Sequence, residues 1–176
     1  MKKIKKPLIS ILFAVLIFTI SVLTKIPIST GYVSLGDAFV LLAACFLPTG
    51  YAMLAALLGC SAAAYMIGGP QLILSIVLIR VLAACWFVDT GKKILDKRLL
   101  TGVIASAFIL IVGSYIADMA KIGDIAAPLV NMPIYAVAVA ANIVLFLILA
   151  FICDFLKLRP RLMNEKEDAT DQATNN

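Results

Sequence analysis

The sequence contains no histidine. Histidine metal sites, Ser-His-Asp triads and Cys-His dyads are thereby excluded. Charge is scarce: 14% of the 176 residues are charged, where an ordinary soluble domain has about 25%. The four cysteines, Cys45, Cys60, Cys85 and Cys153, include no CxxC pair. Each lies in an apolar stretch and reads as a small packing residue, not as a redox or metal group. There is no GxSxG, no HExxH, no Walker lysine loop and no paired-carboxylate DxxD motif. The sequence therefore points to no enzyme, metal or cofactor. The same composition excludes a disordered chain and a nucleic-acid-binding module.

What is present is apolar surface. Hydrophobic residues make up 63% of the chain and its mean hydropathy is +1.07. A spanning helix needs about 20 residues, so the chain has room for roughly six. The expected fold is an all-α integral membrane protein, a six-helix bundle. One membrane domain is expected over residues 1–163, followed by a disordered polar tail over 164–176 (NEKEDATDQATNN). The apolar runs are 7–23, 37–47, 51–67, 71–88, 100–117 and 128–156. The second is short, and is expected to extend back through 34–37. Polar, Gly/Pro-containing connections are expected over 25–36 and 118–127, with a Gly68-Gly69-Pro70 break between the third and fourth runs.

Six spans place both termini on one side. Lys2, Lys3, Lys5 and Lys6, then Lys92, Lys93, Lys97 and Arg98, then Lys157, Arg159, Arg161 and Lys166 all fall on that side, and only Lys25 and Lys121 oppose them. The positive-inside rule makes it cytoplasmic, giving an N-in, C-in protein of the plasma membrane. The loops at 24–36, 67–71 and 118–128 then roof an outward-facing pocket.

Arg80 lies inside the fourth run, where a cation is costly and either functional or paired. Asp37 and Asp118, near outer span ends, are its candidate partners. Asp37 also suits a first helical turn, where a carboxylate complements the helix dipole. Tyr32, beside Gly31, could stack on a planar ligand or sit in the interface belt. Tyr65 and Gln71 flank the Gly-Gly break on the expected pocket side. Asn131 opens the sixth span near the outer loops, and the deeper Asn142 reads as a helix–helix hydrogen-bonding residue. Ser10 and Ala14 form a small-xxx-small pair on the first span, either for packing or for docking a membrane partner. Ala52, Ala55, Ala56, Gly59 and Ala63 form such pairs on the third, where packing within the bundle is the simpler reading.

Residues 31–59, GYVSLGDAFVLLAACFLPTGYAMLAALLG, resemble the substrate-binding S components of energy-coupling factor (ECF) vitamin transporters, of the riboflavin-transporter-like type. Gly31, Tyr32, Leu35, Gly36, Asp37, Gly68, Gly69 and Arg80 match that pattern. Two positions depart from it: Tyr65 stands where many relatives carry aspartate, and Arg80 where many carry lysine. The resemblance implies a subunit that captures a vitamin or precursor from outside. It implies docking on a transmembrane T component through Ser10 and Ala14, and uptake driven by two ATPase subunits. The competing expectation is a structural membrane scaffold of the rod-shape-determining type.

Overall fold

A computed structural model describes residues 5–28, 31–68, 73–85 and 97–156. Gln71, the tail over 164–176 and most of the basic clusters lie outside these residues.

Helix α1 (Lys5–Leu23) is followed by two three-residue strands, β1 (Ile26–Ile28) and β2 (Gly31–Val33). They pair antiparallel, Ile26 with Val33 and Pro27 with Tyr32. The connection over 25–36 is thus a small hairpin rather than an irregular loop. The Thr24 hydroxyl anchors it, donating to Ile20 O and accepting from Leu35 N at 3.0 Å. Helix α2 (Gly36–Phe46) begins two residues after β2, so of the expected backward extension through 34–37 Gly36 and Asp37 are helical and Ser34 and Leu35 are not. Then come α3 (Thr49–Gly68), α4 (Ile73–Cys85), α5 (Lys97–Ile122), a 3-10 turn at Ala127–Asn131, and α6 (Met132–Phe155). Helix α5 runs past the loop start expected at Asp118. It ends where Gly123 adopts φ +74° and its N–H bonds Met119 O at 2.9 Å. A left-handed residue just past the last turn is the commonest helix stop.

The contacts close a ring: α1 packs on α3, α3 on α4, α4 on α5, α5 on α6, and α6 on α2, which returns to α1. Helix α2 also touches α3 and α4. Apart from Asp37 its 11 residues carry no polar side chain but a cysteine thiol, and nine are buried, as befits a helix enclosed by others. Gly36 and Gly59 permit the closest approaches. A Cβ on Gly36 would run into Ser21 Oγ, and one on Gly59 would lie 2.7 Å from Ala14 O. The small residues of α3, Ala52, Ala55, Ala56 and Ala63, are buried, so the stripe expected to pack within the bundle does so.

The bundle buries an apolar core with several polar side chains in it, and also exposes many large apolar ones. Ser10, Ser21, Ser106 and Asn142 are buried, while Phe108 is 68% exposed and Phe155 78%. Apolar exposure along whole helices marks surface that meets lipid or another chain. Three helical stretches, Thr49–Ile67, Thr101–Ile122 and Ala127–Phe155, are long and apolar enough to cross a membrane. Three shorter apolar helices, Pro7–Leu23, Gly36–Phe46 and Ile73–Cys85, accompany them. This is the architecture expected of an all-α membrane protein.

Candidate functional site

The site is built where the hairpin meets α2 and α4. Tyr32 lies in β2 and Ser34 is the first residue after it. Asp37 follows in the first turn of α2, and Arg80 reaches across from α4. Arg80 is 6% exposed. Its Nε pairs with Asp37 Oδ1. Nη1 donates to Tyr32 Oη at 3.4 Å and Nη2 to Ser34 Oγ at 3.3 Å. The guanidinium carbon also lies 5.6 Å from the centre of the Tyr32 ring, within cation–π range. Burial pushes the Tyr32 phenol above its ordinary pKa, against the lowering influence of Arg80. The group is therefore a neutral hydroxyl at physiological pH. Of the two partners considered for Arg80, the structure selects Asp37; Asp118 instead accepts the Tyr135 hydroxyl at 2.5 Å.

Asn142 braces this corner from α6. Helix α2 has no side-chain cap of its own at Leu35. Asn142 Oδ1 accepts the Ala38 N–H at 3.0 Å, and its Nδ2 donates to Ser34 O and Ala138 O, both at 2.9 Å. One amide thus supplies across the bundle what an N-cap residue supplies locally.

A cavity of about 60 Å³ adjoins the cluster, with Asp37, Arg80, Ser114, Tyr135 and Asn142 in its walls. Tyr32, Asp37 and Arg80 were all expected at the pocket, and they meet there. Tyr65 does not join them: it is 65% exposed on α3. Asn131 is buried at the end of the 3-10 turn and does not line the cavity. Gln71 lies outside the described residues. Ser114 and Tyr135 were not anticipated as wall residues, nor Ser34 as a partner of Arg80. The available signal was spacing. Tyr135, Ala138, Val139 and Asn142 recur at intervals that put them on one face of a helix.

The Ser10–Ala14 pair packs within the bundle. Ser10 is buried and donates its hydroxyl to Tyr51 O at 2.8 Å, and Ala14 is buried beneath Gly59. Both residues are used in joining α1 to α3 and present no outward surface.

No protein-family model, curated protein or solved structure matches the chain at a significant level.

Proposed function

We propose that the chain is the substrate-binding subunit of an ATP-driven vitamin importer of the ECF kind. In this reading it crosses a bacterial plasma membrane six times with both termini in the cytoplasm. The observation that carries the reading is the buried Arg80–Asp37 pair beside a cavity at the hairpin. Ionisable groups inside an apolar bundle are expensive and characteristically line ligand or ion pathways. Support comes also from the sequence resemblance, because two residues of its motif, Tyr32 and Asp37, are among those that meet Arg80. A vitamin or precursor enters from outside, binds without a cofactor, and is not chemically changed. The T component and the two ATPase subunits are the expected partners. Since Ser10 and Ala14 are enclosed, the T component docks on other, exposed apolar helix faces.

Uptake of radiolabelled vitamins into cells with and without the chain tests this. Saturable, ATP-dependent import of one vitamin should depend on the chain, and cell shape should not. Loss of rod shape with every uptake unchanged would favour the scaffold reading instead.

A further inference from the structure

Two cavities meet at a common wall. Beside the polar chamber of about 60 Å³ lies a groove of about 340 Å³, between the hairpin, the end of α1 and the first half of α6. Val33 and Ala138 line both. Neither is a small-molecule site by itself. The polar chamber holds a few waters, at about 10–15 Å³ of such volume each. The groove reaches the range of ligand pockets, about 300–1,000 Å³, but its two hydroxyls are already engaged. Thr24 Oγ1 bonds Ile20 O and Leu35 N, and Ser34 Oγ accepts from Arg80. A ligand site combines a large apolar volume with a few convergent polar groups, and here the two halves lie on either side of two small side chains.

The donors of the polar chamber define what it takes. Asn142 gives both of its N–H groups to Ser34 O and Ala138 O, and Tyr135 gives its hydroxyl hydrogen to Asp118. Arg80 has five N–H groups. Among the described residues, three are directed at Asp37, Tyr32 and Ser34. The Cys60 thiol also takes a side-chain hydrogen bond from Arg80, which leaves one N–H, so the chamber asks for a single acceptor. Because Asp37 already balances the Arg80 charge, a neutral carbonyl suits it better than an anion.

We propose that the ligand lies across both chambers. Its apolar body fills the groove, and a neutral carbonyl end passes between Val33 and Ala138 to reach Arg80. Ala138 sets how large a group passes and is a specificity-determining residue. The inference rests on the ligand-binding reading above.

The test needs no knowledge of the natural ligand. Ala138→Cys is made in the full chain and treated with two neutral methanethiosulfonates of equal length, one ending in a carboxamide and one in an alkyl group. Unsubstituted protein treated alike supplies the background from the native cysteines. Both reagents should label the introduced thiol. The carboxamide adduct should melt about 2–4 °C above the alkyl adduct, and Arg80→Met should erase that difference. Equal melting temperatures, a difference that survives Arg80→Met, or a thiol that neither reagent reaches would overturn the proposal. Uptake decides the importer reading separately: a positive tether result without any dependent uptake leaves a two-chamber site in a protein of another role.

Discussion

Arg80 concentrates the energetics at the scale of single residues. Its burial is tolerable because one ion pair, two long hydrogen bonds and an aromatic face surround it. Removing one partner of a buried pair strands the other, a loss of about 3–5 kcal/mol. Arg80→Met should therefore lower the melting temperature sharply. Asp37→Asn in the same chain should restore part of it by removing the stranded carboxylate. Thermal melts of the two single variants and the double variant check this; additive losses would mean that the two residues do not depend on each other. Tyr32→Phe keeps the ring over the guanidinium and deletes only a long hydrogen bond, so its effect should be the smaller, about 1 kcal/mol or less.

At the scale of elements, close approach decides stability. Gly59→Ala forces a Cβ against Ala14 O and the Ile17 side chain and should cost about 1–3 kcal/mol by overpacking. Gly50→Ala meets nothing within 4 Å and should be neutral or mildly stabilising. Melting the two variants side by side separates contact from helix propensity. Asn142→Ala removes the amide that caps α2 and leaves the Ala38 N–H buried, a loss of about 1–3 kcal/mol. Much of this level was legible in the sequence. Long apolar runs marked α3, α5 and α6, and the isolated cation in the fourth run marked Arg80. The hairpin was not legible, because three-residue strands carry no usable alternation and Pro27 argues against a strand. Nor was the inward turn of Ser10 and Ala14: small residues announce a close helix contact but not whether the partner lies in the same chain. An amide deep in a span marked Asn142 as a helix–helix hydrogen-bonding residue, yet only the fold shows that its partner is the start of α2.

The whole molecule encloses several polar side chains within an apolar core and leaves many large apolar ones exposed outside, and the proposed orientation follows from its basic residues. A single cysteine introduced at Lys25 should react with an impermeant maleimide from outside the cell, and one at Lys93 only after the membrane is opened. Outside labelling at Lys93 would reverse the orientation and put the hairpin on the cytoplasmic side. Helix α2 is the informative short element. At roughly 1.5 Å per residue, its 11 residues cover about half of a hydrocarbon core of about 30 Å. Its neighbours enclose it, and the hairpin continues the wall above it. That arrangement puts the Arg80 corner at the start of α2, where the hairpin meets α4; in the proposed orientation a solute reaches it from the hairpin side. Capture of such a solute is the central claim, and mass spectrometry of small molecules released from the purified, detergent-solubilised protein tests it most directly. One vitamin-like compound, near stoichiometric in the wild type and depleted roughly 10- to 150-fold in affinity terms by Arg80→Met, a loss of about 1.5–3 kcal/mol, is the expected result; no bound compound, or the same compound held equally well by the variant, would contradict it.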